Sequence, residues 1–349
     1  MTKSPSRRFR AAFARGLFAI AAMSMGAPAF AHDWCVSTAA DLRAKLLLAQ
    51  ANGEDDTIKL VHGTYLADNA PFTFDSTETF GLTIHGGFDS ACTQTVQDPR
   101  FTILDGAHSH AVFRSQSTGS LVLRYMTIQN GTNNGSAGGG IQIYGTGANS
   151  SVVLAVNILR NNTSDFAACV GFIDVEGVVH LNGNLVIDNS TPAAGGLSID
   201  AGPNALIYVT NNTIANNTTG NASAGFLYIP GSNNAVPNAY FSNNIMWNNA
   251  AGSDVQFFGT GMQFNNNDIE VVDGFQTAGS SANLSQNPVF ASATDFHLSP
   301  SSPLLGIGLL APTGGIPGVD LEGHPRTYNG HVDLGAYERG DEIFTNGYD

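Results

Sequence analysis

The chain is poor in charged side chains, in cysteine and in long apolar runs. Only 12% of its 349 residues are charged, and it contains three cysteines. No C-x-x-C pair is present, so the sequence gives no support to a zinc site, and we predict no metal site. No run approaches the roughly 20 apolar residues that span a bilayer, so the sequence predicts no transmembrane segment.

The few basic residues are concentrated at the N-terminus. Five of the 14 Lys and Arg lie in MTKSPSRRFRAAFAR, which is followed by an apolar stretch and by Ala29-Phe30-Ala31. This pattern is typical of a signal peptide with an A-x-A cleavage site, so we expect residues 1–31 to be removed. The protein is then exported, to the extracellular space or to the outer membrane or cell surface. The remainder carries nine basic and 28 acidic residues, which argues against nucleic acid as a partner.

The exported location permits disulfides. Cys35 and Cys92 both lie in the N-terminal region, and we predict that they pair. Cys169 lies in the apolar run FAACVGF, where we expect a buried free thiol.

A repeat occupies the centre of the chain. Six hexamers, which begin and end with apolar residues, start 23 to 32 residues apart: LRYMTI, LAVNIL, LNGNLV, VTNNTI, FSNNIM and FNNNDI. Asparagine takes the fourth place in five of them. We expect these amides to bond to the backbone at a turn and to each other in a ladder, formed by Asn157, Asn184, Asn212, Asn244 and Asn267. In the stretch NNTIANN at 211–217, Asn216 and Asn217 are expected to open the next turn.

A second strand signal follows each of the first five hexamers. In GGIQIYG, GFIDVEG, GGLSIDAG, GFLYIPG and DVQFFG, apolar residues alternate as in strands with one buried face. Units this short cannot bury an apolar face alone and must stack. We therefore predict an all-β fold, a right-handed parallel β-helix of about eight or nine coils. A β-propeller needs four-stranded units of about 40–50 residues, which are longer than these.

The ends of the chain differ from the repeat. Thr38 is the predicted N-cap of a helix with Leu42, Leu46 and Ala49 on one face, placed to cap the first coil. We assign 32–285 to this cap and the β-helix. Residues 286–340 form an irregular region expected to complete or cover the last coil, and 341–349 a short tail.

Two regions carry a family resemblance. The run from DDTIKLVHGTY to SLVLRYMTIQNG resembles secreted bacterial right-handed β-helix proteins, in the style of polymorphic outer-membrane and autotransporter-like adhesins. The runs NPVFASATDFHLSPSSPLLGIG and VDLEGHPRTYNGHVDLGAYE are similar to the choice-of-anchor Q domain, and DEIFTNGYD resembles a tail of secreted proteobacterial proteins. The resemblance implies a secreted or surface-associated protein and implies no reaction. Gly306 stands where the family often has Asp, so no role of that carboxylate is transferred.

The best candidate site lies on the second strands. With Ile173 and Val175 inward, Asp174 and Glu176 face outward, and we expect Asp200 of the next coil to stack near Glu176. Tyr144 and Tyr228 are expected on the same outer face. These five residues could bind a sugar or hold calcium. Asp174, Glu176 and Asp200 could also hydrolyse a glycoside, since Asp174 and Glu176 stand about 6.5–7 Å apart. A solvated acidic face without function is the simpler interpretation, because no Arg or His is expected in these columns.

Three functions stay open at this point. The leading one is a non-enzymatic binding or adhesin-type protein for a polysaccharide or cell-surface glycan. The second is a polysaccharide lyase or glycoside hydrolase that uses Asp174, Glu176 and Asp200. The third is a structural surface spacer. We predict no cofactor for any of these functions, with calcium as the one alternative.

A further acidic group lies near the C-terminus and consists of Asp320, Glu322, Asp333 and Glu338. It could clamp a capping loop, with calcium as an option, or lie on a turn-rich surface.

Overall fold

The computed structural model describes residues 31–133, 138–165, 171–191, 196–219, 225–229, 238–249, 252–257, 261–273 and 279–339, with the backbone alone at 219 and 227–229. Within these residues, strands wind into a parallel β-helix of about seven turns. The predicted fold class is confirmed, with slightly fewer coils than expected. Cys169, most of the signal segment and the tail 341–349 lie outside the described residues.

Successive turns contribute strands to three long parallel sheets, which have nine, eight and eight strands among the described residues. Sheet A consists of His32–Val36, Asp56–Val61, Leu82–Phe88, Ser120–Arg124, Ser151–Ala155, Val178–Asn182, Leu206–Thr210, Ala239–Ser242 and Met262–Asn265. Sheet B consists of Gly63–Leu66, Thr102–Asp105, Thr127–Gln129, Ile158–Arg160, Leu185–Ile187, Thr213–Ala215, Ile245–Trp247 and Asp268–Ile269. Sheet C consists of Phe72–Ser76, Phe113–Ser117, Ile141–Gly145, Gly171–Val175, Leu197–Ala201, Phe226–Ile229, Val255–Phe257 and Val272–Asp273. A short sheet D joins Thr132–Asn133, Thr163–Ser164, Ser190–Thr191 and Thr218–Thr219.

The interior is filled by stacked rows of apolar side chains. One row of sheet A runs through residues of the hexamers that pair directly across adjacent strands and are all buried. Because strands of neighbouring turns lie about 4.8 Å apart, each side chain packs on its equivalent in the next turn. The row is Leu123, Leu154, Leu181, Val209, Phe241 and Phe264.

The helix Ala39–Ala49 caps the first turn as predicted. The hydroxyl of Thr38 accepts a hydrogen bond from the Asp41 backbone N–H at 3.1 Å, which satisfies one of the free amides of the first helical turn. Leu42, Leu46 and Ala49 are its buried residues. A short 3₁₀ turn, Pro99–Phe101, lies in the second coil. The predicted disulfide is present, with the Cα atoms of Cys35 and Cys92 5.7 Å apart.

The predicted asparagine ladder is confirmed at the corner between sheets A and B. From Asn184 onward, each side-chain oxygen accepts hydrogen bonds from the backbone N–H and the Nδ2 of the asparagine one turn before it. The oxygen of Asn157, the first rung, accepts from the Met126 backbone N–H. Asn283 adds one more rung after Asn267. Each rung follows a residue with positive φ, such as Asn211 at 55°. This left-handed residue turns the chain through the corner.

A second ladder stands where sheet B ends, and the hexamer alignment did not reveal it. It runs through Asn162, Asn189, Asn217 and Asn249 with the same pattern of bonds and ends on the Asp254 carboxylate. Asn217 is therefore a ladder residue and does not open the turn. The left-handed residue is Asn216, with φ of 56°.

The region 286–339 begins at the last coil, where the Gln286 backbone N–H donates to Oδ1 of Asp268 at 2.8 Å, and its role as a cover for that coil stays a prediction. The region packs along the outer face of sheet B, where Phe296, Leu321 and Ala336 meet apolar side chains of that sheet, among them Ile158, Leu185 and Ile187. The outward side chains of these sheet B strands are apolar, so packing the C-terminal region on them removes apolar surface from water.

The left-handed asparagines hold this region in place. Asn243 exchanges two hydrogen bonds with the Leu309 backbone, at 2.7 and 2.9 Å. The Nδ2 of Asn211 donates to the Asp333 carbonyl at 3.1 Å, and that of Asn266 to the Ile307 carbonyl at 2.8 Å.

Candidate functional site

The outer face of sheet C carries the predicted acidic and aromatic column, with a changed register. Tyr144 pairs with Asp174, and Asp174 pairs with Asp200, on three successive strands. Asp200 therefore stacks on Asp174, and the prediction that it stacks near Glu176 is wrong. The sequence alignment of these two strands was offset by two residues. Such an offset keeps the inward residues inward but moves each outward side chain into the neighbouring column of the same face.

Glu176 lies beyond the strand Gly171–Val175, exposed at the corner towards sheet A. Its carboxylate folds over Gly202 of the next turn, where a Cβ atom would stand 2.5 Å from Oε2 of Glu176. A glycine at that position therefore leaves room for the carboxylate. Glu176 stays close enough to Asp174 to act on it electrostatically.

Both aspartates of the column are partly buried. Burial raises the pKa of Asp174, and the charges of Asp200 and Glu176 raise it further. Burial also raises the pKa of Asp200. Within the described part of the chain, no basic side chain forms an ion pair with either aspartate. A pair of this kind favours a shared proton, a cation or hydroxyl groups that donate hydrogen bonds.

Aromatic side chains border the aspartates. The rings of Tyr144 and Phe172 meet edge to face with centroids 5.7 Å apart. The amide Nε2 of Gln142 donates to the Tyr144 hydroxyl at 3.0 Å, which fixes the direction of the phenol. The face thus combines apolar rings with oxygen acceptors, as saccharide-type ligands require.

Two expectations about neighbouring columns are corrected. Tyr228 was expected on the outer face, but its backbone pairs with those of the inward residues Ile199 and Phe257. Phe226 pairs with Leu197 and is fully buried. The sequence did not reveal this, because the strand carries apolar residues in both alternating phases. A basic residue does occur on this face, since the exposed Arg114 pairs with Gln142.

The comparisons with known proteins add no assignment: no family model, curated protein or solved structure matches the chain. No helix among the described ranges has the length and apolar character needed to cross a bilayer.

A second group of titratable residues lines a cleft of about 600 Å³ in the C-terminal region. Nε2 of His297 lies 3.2 Å from Glu322, and Nδ1 lies 2.5 Å from Asp295. Burial opposes the charge on His297, but its bonds to Glu322 and Asp295 raise its pKa to about 9. The bond from His297 lowers the pKa of Glu322 to about 2 against the effect of burial. Arg100 of the second coil also pairs with Glu322 at 2.9 Å.

Below this cleft lies a buried charged cluster built around Arg326, which is 1% exposed. Its Nε stands 3.6 Å from the Glu338 carboxylate, and Nη2 donates to the carbonyls of Asp333 and Gly335. Burial raises the pKa of Glu338 to about 8, while Arg326 opposes the shift. Asp320 receives backbone N–H bonds from three residues and is fully buried.

Of the two interpretations of this acidic group, the geometry favours the clamp over a turn-rich surface. Arg326 supplies the positive charge, so the folded cluster has a counter-ion of its own, and calcium stays an untested alternative. The sequence carried one available signal, since VDLEGHPRTYNGHVDLGAYE places a single Arg among four carboxylates. The contact between Arg100 and Glu322 joins residues 222 positions apart and left no local pattern to find.

Proposed function

We propose that this protein is an exported, non-enzymatic binding protein that holds a polysaccharide or cell-surface glycan along the outer face of sheet C. The observation that carries the proposal is the register of Tyr144, Asp174 and Asp200 on three successive strands, with Phe172 alongside. Aromatic faces bury the apolar faces of sugar rings. Carboxyl groups beside them accept hydrogen bonds from hydroxyls, and the ladders hold both kinds of group on a stiff frame.

Export with cleavage after Ala31 is part of the proposal. It is supported by the sequence of the first 31 residues and by the disulfide Cys35–Cys92, which forms in an oxidising compartment. The resemblance to β-helix adhesins and to the choice-of-anchor Q domain supports attachment at a cell surface. Both remain inferences from sequence.

The geometry supports catalysis less well. Asp174 and Asp200 sit on adjacent strands, whose backbones lie about 4.8 Å apart. This spacing is shorter than the roughly 6.5–9.5 Å between carboxyl groups that leaves room for a water in inverting hydrolysis, and it is closer to the roughly 5–5.5 Å of retaining hydrolysis. Glu176 faces solvent at the corner, away from the column. The raised pKa of Asp174 and the close spacing of the two aspartates are the observations that favour a hydrolase.

Retention on a panel of plant, algal and bacterial polysaccharides, together with an assay for new reducing or unsaturated ends, tests the proposal. We expect one class to be retained without new ends. Tyr144→Ala should weaken retention at least tenfold, and Asp200→Asn should preserve it, because an amide still accepts hydrogen bonds.

Tyr240→Ala is the matched control. Tyr240, like Tyr144, meets another aromatic ring, since its ring centroid lies 5.6 Å from that of Tyr208, but it does so on sheet A. Equal loss in Tyr240→Ala and Tyr144→Ala would refute the assignment to sheet C. New ends that disappear in Asp174→Asn would replace the binding function with the hydrolase.

A further inference from the structure

One group of side chains away from sheet C has the composition of a metal site. His32, Glu54 and Asp56 each offer a ligand atom, and these atoms all lie within 4.8 Å of one another. Glu54 and Asp56 are only 7% and 4% exposed. Nδ1 of His32 lies in direct contact with Oε1 of Glu54.

The fold positions these three side chains without a bound ligand. His32 opens the edge strand of sheet A and pairs in register with Asp56 of the next strand. Asn52 donates to Glu54 at 3.1 Å and to both oxygens of Asp56, at 3.1 and 2.8 Å. The disulfide at Cys35 fastens the edge strand to the second coil. The two carboxylates are therefore oriented by a neighbour, as the ligands of metal sites commonly are.

The buried carboxylates lack a strong counter-charge. Within the residues that the structure covers, neither Glu54 nor Asp56 forms an ion pair with Lys or Arg. Two buried acids this close repel each other unless a proton or a cation separates them.

Processing would add a fourth ligand atom. The backbone N–H of His32 already interacts with the Asp56 carboxyl. If cleavage follows Ala31, as in the proposed function on which this step rests, that nitrogen becomes a free α-amine. An α-amine and the Nδ1 of the same histidine close a six-membered chelate ring on one metal ion.

We propose that the processed N-terminus forms a site for a divalent transition-metal ion, held by the α-amine and Nδ1 of His32 and by the carboxylates of Glu54 and Asp56. Two nitrogen and two oxygen donors suit Zn²⁺ and Cu²⁺ and disfavour Ca²⁺, which takes six to eight oxygens. Removal of the leader would thus create the site, and the ion would tie the N-terminal strand to the first coil.

Trp34 provides a local probe. Its ring stacks on that of His32 with centroids 5.4 Å apart, and the chain has two tryptophans. The full chain is exported from a bacterial host, its N-terminus is read by mass spectrometry, and Zn²⁺ is titrated by calorimetry. Cu²⁺ is followed by quenching of tryptophan fluorescence. We expect one ion per chain, no comparable binding of Ca²⁺, and quenching at the same stoichiometry.

Three comparisons decide the ligand set. Glu54→Gln should weaken Zn²⁺ binding at least tenfold. The 349-residue chain purified without export should bind at least tenfold more weakly, although it alters no side chain. His108→Asn removes an exposed histidine whose φ of 54° asparagine tolerates, and it should change nothing.

Several results would overturn the site. One is an absence of binding by the processed chain, which would mean that the α-ammonium alone balances the two carboxylates. Another is equal binding by the exported and unexported chains, and a third is a mature N-terminus other than His32. Failure of the glycan proposal is distinguishable, since polysaccharide retention can be lost while Zn²⁺ still binds to a chain that begins at His32.

Discussion

Replacing Asn212 with Leu is the sharpest test of what stabilises this fold. The Asn212 side chain lies in the middle of the first ladder and is 2% exposed. Its Oδ1 accepts from the backbone N–H and the Nδ2 of Asn184, both at 2.9 Å. Its Nδ2 donates to the carbonyls of Leu181 and Thr210, at 2.7 and 3.2 Å, and to Oδ1 of Asn244 at 3.0 Å. Leucine has a similar size and can make none of these bonds.

The loss can be estimated from the groups left behind. The Asn184 backbone N–H loses its acceptor and the Leu181 carbonyl loses this donor, both in a buried corner. Each buried polar group without a partner costs about 1–3 kcal/mol, so the pair costs about 4 kcal/mol. Burial of the more apolar side chain offsets about 1 kcal/mol. We therefore expect the free energy of unfolding to fall by about 3 kcal/mol.

Chemical unfolding, followed by circular dichroism, measures this change. Asn149→Leu, at an exposed position, should be neutral within about 0.5 kcal/mol. Asn283→Leu should have an intermediate effect on stability. The Asn283 side chain is partly exposed and makes three hydrogen bonds, whereas the Asn212 side chain makes five. Unchanged stability in Asn212→Leu, with loss of polysaccharide retention, would show that the asparagine serves binding and that this reasoning is wrong.

Three further predictions concern other parts of the molecule. Replacing Cys35 and Cys92 with Ser should lower the free energy of unfolding by about 2–4 kcal/mol in chemical denaturation, because the disulfide closes a 57-residue loop in the unfolded chain; an unchanged midpoint would contradict this. Arg326→Met should cost about 3–5 kcal/mol, since it leaves buried carboxylates without their cation, and a neutral result would refute the clamp. The raised pKa values of Glu338, about 8, and of His297, about 9, mean that their stabilisation is complete below their unfolded values of 4.5 and 6.5. It is lost as pH rises through 8 and 9, so the protection factors of amides in 286–339, which correct for base-catalysed intrinsic exchange, should fall over this range. Constant protection factors would argue against both shifts.

The sequence was informative wherever a pattern repeated. Each turn must bury the same positions and bond the same corner, so the apolar rows and the first ladder recur at intervals that an alignment can detect. The stretch NNTIANN shows how much was local. Asn212 was predicted as a ladder residue, and the left-handed backbone at Asn216 was expected from the residue type. Asn217 was missed because the second ladder lies just outside the aligned hexamers.

The register of sheet C was harder to predict for a physical reason. Side chains alternate with a period of two, so an offset of two residues leaves the apolar pattern unchanged and moves only the outward residues. For this reason Asp200 was placed beside Glu176 when it stacks on Asp174. The strand Phe226–Ile229 carries apolar residues in both phases, and burial of Phe226 against Phe241 decides between them. That contact joins two sheets and has no signature in a single strand.

The position of the C-terminal region also bears on which face is free to bind. It covers the outer face of sheet B through Phe296, Leu321 and Ala336, and the backbone at Gly314 approaches the Tyr208 ring of sheet A so closely that a Cβ would stand 2.6 Å from it. Among the described residues, the long outer column of sheet C has no such cover. Its aspartates and the rings of Tyr144 and Phe172 are half-buried. This difference between the three faces is why our proposal places the glycan on sheet C and not on sheets A or B.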